Sequence, residues 1–544
     1  MSSSVSAEPL DVVVVGAGFA GMYAIWKLSQ SGLRLRVIEA GSDVGGTWYW
    51  NRYPGARCDV TSMEYSYGFS EALQQEWEWT EIMAAQPEIL AYANHVADRF
   101  NLREHIDFNT RVTGAHFLEE ENLWEVTTDT GQMYLARFCI MATGCLSVPN
   151  TPVIEGQDEF GGETYHTGNW PAEGVDFTGK SVGIIGTGSS GVQSIPVIAR
   201  QAEHLTVLQR TPNYNMPANN APLPAEYRAR IKHNYSKVRA AQRHAQIGVS
   251  EFSRGLGGLG SYPEPQEAIL ETTPEERQRA LDESGFEAIR RYNDLALSPQ
   301  ANELACEMFR EQVARVVDDP DTAEGLMPRD YAFGCKRPVI DIGYYETFNR
   351  DNVTLVDLRR GGIERITPTG VQTAQGHFEF DVLVYATGFD AMTGALLRMD
   401  IRGRDGRTLN SHWEHGPKTY LGLSMRGFPN LFTVTGPGSP SVLSNMLVSI
   451  EQHVDWISDC INYLDQKGAK IIEPTAEAED AWVRHVFELA DGTMLTDESC
   501  NSWYLGANVP GKPRVFMPYV AGVGVYRAQC EEIVADGYRG FAIG

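Results

Sequence analysis

CxxC cysteine pairs, clustered basic charge and long apolar runs are all missing from this sequence. Its eight cysteines (58, 139, 145, 306, 335, 460, 500 and 530) are scattered, with no CxxC pair and no His/Cys spacing typical of a zinc site. A metal centre is therefore not expected, and the pattern predicts a reduced, cytosolic chain with mostly buried, inert thiols. Lys and Arg number 45 against 71 Asp and Glu, a net charge of −26. Nucleic acids and anionic membranes attract clustered cations, so both are excluded as partners. An anionic dinucleotide would need basic residues placed locally against that overall field. No apolar run is long enough to span a membrane. The opening MSSSVSAEPLD has neither a basic nor an apolar signal region, so no secretion signal is expected. The sequence leaves the oligomeric state open, and a monomer is compatible with it.

What is present is an α/β pattern. The 544 residues allow roughly three to four domain-sized units. Residues 11–15 (DVVVV) form a continuous β-branched run, expected of a buried parallel strand. A glycine cluster, a helical pattern to about Gln30 and a second strand at about Leu33–Glu39 complete a βαβ unit. The same plan returns at 181–210 (SVGII, glycines, helix to about Arg200, LTVLQR). Two such units imply two nucleotides held near each other. Residues 218–332 are polar and helical. Helix starts are expected at Thr273-Pro274-Glu275-Glu276, a capping box, and at Ser298-Pro299. Strand-like runs at 378–385 and 430–435 should return the chain to both sheets, and the first eight or so residues read as unstructured.

The first glycine motif is Gly16-Ala17-Gly18-Phe19-Ala20-Gly21, directly between strand and helix. Gly16 permits the tight turn, Gly18 the approach of a pyrophosphate, and Gly21 close helix–strand packing, with phosphates on the helix N-terminus. Glu39 ends the next strand, where a carboxylate accepts ribose hydroxyls and repels a 2′-phosphate. This unit is expected to take FAD or NAD. A second match, Gly255–Gly260, lacks a strand before it and an acid after it, and reads as a loop. The third, Gly186-Thr187-Gly188-Ser189-Ser190-Gly191, again sits between strand and helix. Arg210-Thr211 stands where the acid would be, which points to NADP. An FAD-type and an NADP-type unit without a redox cysteine pair argue against disulfide reductases and for flavin-dependent oxygen chemistry.

Phe160-x-Gly162-xxx-His166-xxx-Trp170-Pro171 follows the first unit. With its spacing between two GxGxxG units, this string resembles the fingerprint of type I Baeyer–Villiger monooxygenases. The Trp170-Pro171 ending separates them from relatives that oxidise nitrogen or sulfur. The likeness covers nearly the whole chain and is greatest to bacterial phenylacetone and steroid monooxygenases. Its other matching stretches are the flavin-embracing segment Gly45–Asp59, the crossing motifs Ala142-Thr143-Gly144 and Ala386-Thr387-Gly388, Lys336-Arg337, Gly436–Pro440 and Asn501-Ser502-Trp503-Tyr504. The resemblance implies two Rossmann-like domains with a helical insertion in the NADP domain: FAD parts at 1–150 and 389–544, NADP parts at 151–217 and 333–388, insertion at 218–332.

It further implies FAD contacts at Glu39, Thr47, Trp50, Asp59, Tyr65, Val112 and Met446. NADP contacts are implied at Thr187, Gly188, Ser189, Ser190, Arg210, Thr211, Lys336, Arg337 and Trp503. Cys145 departs from the pattern, where Gln is expected. The implied reaction uses NADPH and O2. Reduced FAD forms a C4a peroxide that attacks a ketone, and an ester or lactone leaves. Arg337 is the expected catalytic residue, stabilising developing negative charge, with Asp59 holding it. Without the resemblance, Lys336-Arg337 would read equally well as loop charges. Ser441, Val442 and Met446 either line the ketone pocket or form a plain strand-to-helix turn. The alternative activities are heteroatom oxidation and a nucleotide-binding module without turnover.

Overall fold

The computed structural model describes residues 8–254, 256 and 266–544. Two sheets organise the chain. The first runs, edge to edge, Asp400–Arg402, Val112–Leu118, Leu123–Thr128, Met133–Met141, Leu10–Val15, Leu35–Ile38 and Ile106–Asp107, with Leu431–Thr433 also paired to Met133–Met141. Leu10–Val15 lies between two parallel neighbours, in register Val14 with Val37 and Val14 with Ile140. Both of its faces are covered, which is why its valines do not alternate with polar residues. The second sheet is parallel throughout, in the order Val353–Asp357, His204–Gln209, Ser181–Ile185, Val382–Tyr385 and Glu163–His166. The helices Phe19–Ser29 and Ser189–Ala199 each leave a glycine turn at the end of a central strand.

The run 378–385 proves to be two strands. Gly376–Glu379 closes an antiparallel meander with Ile363–Thr367 and Gly370–Thr373, whereas Val382–Tyr385 enters the second sheet. Asp381 makes the break: its carboxylate accepts the Ser181 N–H at 2.8 Å and its own N–H donates to the Ser181 carbonyl at 2.8 Å. Both helix starts form as the sequence suggests. Thr273 and Glu276 close a reciprocal capping box at the head of Pro274–Ser284, and Ser298 caps Pro299–Val316.

The helical excursion is divided between two cores. From helix Ala225–His244, Tyr227, Ile231, Tyr235 and Val238 pack into the core of the first sheet. Helices Pro274–Ser284 and Pro299–Val316 supply Leu281, Phe309 and Val313 to the core of the second. Arg239 anchors the first helix. It is 7% exposed and donates to the Ser66 hydroxyl at 2.7 Å and to Gln74 Oε1 at 2.9 Å. Partners of this kind are what make a buried charge tolerable.

One expectation is corrected. Cys335 and Cys500 form a disulfide with Cα atoms 6.1 Å apart, so not every thiol is free. Their separation of 165 residues hid the pair, because only folding brings the two loops together. The other six cysteines are buried and free. The bond ties the loop of Lys336-Arg337 to the loop of Trp503. Residues 1–7, and Gly255–Gly260 apart from Leu256, lie outside the described residues. Among the described residues no helix is long and apolar enough to cross a membrane.

Non-reducing peptide mapping is expected to recover Cys335 and Cys500 in one cross-linked pair that separates on reduction. Alkylation of both without reductant would refute the bond.

Candidate active site

The two glycine turns are built alike. Gly16 has φ 103° and Gly186 φ 106°, a region open to glycine alone at little cost. A Cβ on Gly16 would stand 2.6 Å from the Ala142 carbonyl, and one on Gly186 would stand 2.5 Å from the Ala386 carbonyl. Each Ala-Thr-Gly crossing thus lies against the glycine turn of its own unit. Behind them, a Cβ on Gly21 or Gly191 would meet the Gly16 or Gly186 carbonyl at 1.9 and 2.3 Å. Neither helix has a side-chain cap or an acid in its first turn. Their free N–H groups and dipoles are open to an anion, which fits a pyrophosphate at each.

The segment 45–59 closes over the first turn and reaches the second unit. The Gly45 N–H donates to the Ala17 carbonyl at 3.2 Å, and a Cβ on Gly46 would stand 2.7 Å from the Gly18 Cα. Farther on, the Tyr53 hydroxyl donates to Gln193 Oε1 at 2.9 Å, and a Cβ on Gly55 would lie 2.2 Å from the Gln193 carbonyl. Sequence reading missed this bridge because Gln193 is an unremarked helix residue. Glu39 is 6% exposed, and its oxygens accept the Ala17 and Gly41 N–H groups, both at 2.7 Å. Burial raises its pKa and those N–H groups oppose the rise. Each oxygen keeps a lone pair for a ribose hydroxyl.

Thr47 and Trp50 bound a short helix on this segment, and Trp48 Nε1 donates to the Tyr65 hydroxyl at 3.1 Å. Val112 is buried at the start of its strand, and Met446 opens the helix Met446–Lys467. The carbonyl of Thr187, a residue buried in the second turn, accepts from the Asn213 amide, and its hydroxyl donates to the Thr211 carbonyl at 3.1 Å. Ser189 is exposed, whereas Ser190 is buried and accepts from the Thr167 hydroxyl at 3.0 Å.

Asp59 and Arg337 meet as expected. Arg337 Nε lies 2.7 Å from Asp59 Oδ2, and Nη2 donates to Oδ1 at 2.9 Å. A partner that sequence reading missed is the Val442 carbonyl, which accepts from Nη1 at 2.8 Å. Burial opposes the charge on this guanidinium, but Asp59, Tyr504 and Cys58 hold its pKa above the ordinary value. Next to it, burial and the nearby Arg210 push Lys336 down to about 8. The Lys336 ammonium sits 4.2 Å from the Tyr331 ring centre. Arg210 thus brings a second positive charge near Lys336. Trp503 is half-buried and its ring lies 4.6 Å from that of Tyr504.

The fingerprint lies at the crossing between the units rather than at Arg337. The Gly168 N–H donates to His166 Nδ1 at 2.9 Å, so the neutral ring carries its proton on Nε2, 3.3 Å from the Thr387 hydroxyl. That hydroxyl donates to the Asn150 carbonyl at 2.6 Å. Burial lowers the His166 pKa, in keeping with the neutral form. Trp170 is buried beside Tyr165, and its N–H donates to the Trp50 carbonyl at 3.4 Å. Gly162 has no room for a Cβ, which would stand 2.4 Å from the Asp381 carbonyl, and Phe160 packs on the second sheet. His166, Trp170 and Pro171 line a cleft of about 430 Å³ with Thr151, Asn169 and Tyr385. Cys145 is buried, its thiol 3.5 Å from the Thr435 carbonyl and pushed up to about 11 by burial.

Gly21→Ala is expected to yield protein with little bound flavin, because its Cβ would collide with backbone. Gly188→Ala meets no atom within 4 Å and should fold and keep its flavin. Absorbance of the purified variants checks both, and equal flavin loading of the two would contradict the packing.

A model of the family described as pyridine nucleotide-disulphide oxidoreductase matches residues 13–253. A Baeyer–Villiger monooxygenase of Pseudooceanicola batsensis is 42% identical over 537 residues, 97% of this chain and 95% of that protein. A solved structure of oxidised steroid monooxygenase bound to NADP superposes with a TM-score of 0.90 at 51% identity, covering 98% and 99% of the two chains. A structure of OTEMO in complex with FAD and NADP gives 0.90 at 40% identity over 99% and 100%.

Proposed function

The chain belongs to the Baeyer–Villiger monooxygenases, NADPH- and O2-dependent flavoenzymes that convert ketones to esters or lactones, and on that premise we propose that Arg337 is its catalytic residue and Asp59 its partner in holding charge. The observation that carries this reading is the pairing of Asp59 with both Nε and Nη2, together with the Val442 carbonyl on Nη1. Three fixed contacts aim a permanent cation, which suits an oxyanion that develops as the ketone is attacked. Bound FAD supplies the acceptance of hydride from NADPH and the activation of O2. Gly16, Gly18 and Gly21 offer the backbone turn for its pyrophosphate, and Glu39 the ribose acceptor. Thr47, Trp50, Tyr65, Val112 and Met446 complete the cradle. Gly186 to Gly191 would hold the NADP pyrophosphate, Arg210, Thr211 and Lys336 its 2′-phosphate, and Trp503 would add a further NADP contact. The proposed domain division follows: FAD parts at 1–150 and 389–544, NADP parts at 151–217 and 333–388, and the helical excursion at 218–332.

Arg337→Ala is expected to abolish ester formation from a ketone panel followed by product mass under 18O2. Removing such a donor costs roughly 3–4 kcal/mol, on the order of a hundred- to a thousandfold in rate. NADPH binding should weaken but stay detectable. Wild-type ester yield from this variant would sink the assignment. Oxygen transfer to a thioether alone, by the unaltered enzyme, would favour heteroatom oxidation instead.

Lys336 adds a pH dependence. With the pKa near 8 in the ligand-free chain, the ammonium loses its proton as pH rises through that value, and a 2′-phosphate favours the protonated form. KM for NADPH should be flat below pH 8 and climb above it, approaching about tenfold per unit. KM for NADH, which lacks the phosphate, should not follow. In Lys336→Arg the climb should vanish, because guanidinium does not titrate there. Parallel profiles for the two cofactors would remove Lys336 from the phosphate site.

A further inference from the structure

A strained residue stands between the first sheet and the arginine centre. After strand Leu431–Thr433 the chain turns at Thr435, whose φ is 56°. A β-branched residue is rare in this left-handed region, because its Cβ crowds a backbone carbonyl. Thr435 is 3% exposed, so water does not satisfy its backbone. Its N–H donates to His453 Nδ1 at 2.9 Å, its hydroxyl donates to the Val434 carbonyl at 2.7 Å, and its own carbonyl meets the Cys145 thiol at 3.5 Å. The N–H of the strained residue therefore rests on one side chain.

His453 belongs to helix Met446–Lys467 and is 0% exposed. Its ring packs against Tyr526, centres 5.5 Å apart. Because Nδ1 accepts, the hydrogen lies on Nε2, and that buried atom has no hydrogen-bond partner among the described residues. An unmatched buried donor is costly, so packing alone would be better served by an apolar residue. Burial, with Arg527, pushes the ring down to about 3, which keeps Nδ1 a permanent acceptor. The turn that begins at Thr435 ends on the site: the Gly438 N–H donates to the Met517 carbonyl at 2.7 Å, and the Val442 carbonyl takes Arg337 Nη1 at 2.8 Å.

We propose that His453 is a positioning residue for the oxidation: it fixes the strained Thr435 backbone and thereby places the 436–442 turn whose last carbonyl holds Arg337. The proposal rests on the catalytic reading of Arg337. Its test is a double-mutant cycle on the holoenzyme, read as ester formed and hydrogen peroxide released per NADPH, with KM for NADPH and melting temperature alongside. His453→Leu keeps the bulk and removes the acceptor. It should lower kcat for ester about tenfold and divert NADPH to peroxide, with KM for NADPH little changed. His453→Asn places an amide oxygen near the Nδ1 position and should restore most of the coupling. Thr435→Gly relieves the strain, so in that background His453→Leu should cost less than about threefold, a departure from additivity. If His453→Leu does not accumulate as holoenzyme, His453→Gln carries the same test, since its oxygen reaches past Nδ1.

Full coupling in His453→Leu, no recovery in His453→Asn, or equal cost in both Thr435 backgrounds would each overturn the proposal. A non-additive cycle together with an active Arg337→Ala would keep the His453–Thr435 link and overturn its route through Arg337.

Discussion

The Arg337 guanidinium is held by three stretches of chain that are distant in sequence, and much of the site's geometry depends on their meeting. Asp59 comes from the segment that closes over the first glycine turn, Arg337 from the loop after the helical excursion, and Val442 from the turn that leaves the last strand of the first sheet. A cation with its side chain 23% exposed is stable there only while those acceptors stay in place. Moving one nucleotide unit against the other would strip it of Asp59. The ion pair therefore ties the setting of Arg337 to the relative position of the two units.

Other contacts guard the same seam. Tyr53 and Gly55 lie on Gln193 of the second helix, the Trp170 N–H lies on the Trp50 carbonyl, and the Cys335–Cys500 bond fastens the loop of Lys336 to that of Trp503. The fingerprint lies at this seam, with a directed chain of hydrogen bonds from Gly168 through His166 and Thr387 to Asn150. A net charge of −26 repels a dinucleotide at long range. Arg210 and Lys336 set two positive charges close together against that field, and the lowered pKa of Lys336 comes first from burial and then from Arg210.

Both glycine turns, their strands and the helix starts were legible in the sequence, because they depend on residues near one another along the chain. Gly16 and Gly186 need left-handed backbone, and Thr273 and Glu276 cap each other within one turn. The break of 378–385 at Asp381 was not legible, since it depends on Ser181 in another strand. Nor was the division of the helical excursion between two cores, which is set by where each apolar face finds a partner. The resemblance brought Asp59 and Arg337 forward as a pair, yet the Val442 carbonyl stayed hidden, since a backbone acceptor leaves no mark in a side-chain pattern.

The sequence by itself determined two nucleotide-binding units and the residues that carry family likeness, because local backbone demands and side-chain chemistry are written residue by residue. Only the tertiary structure decided that Cys335 meets Cys500, that Gln193 braces the segment of Tyr53 and Gly55, and that His453 holds a strained Thr435. These depend on chain segments brought together through packing of the two cores, and no local pattern encodes that proximity.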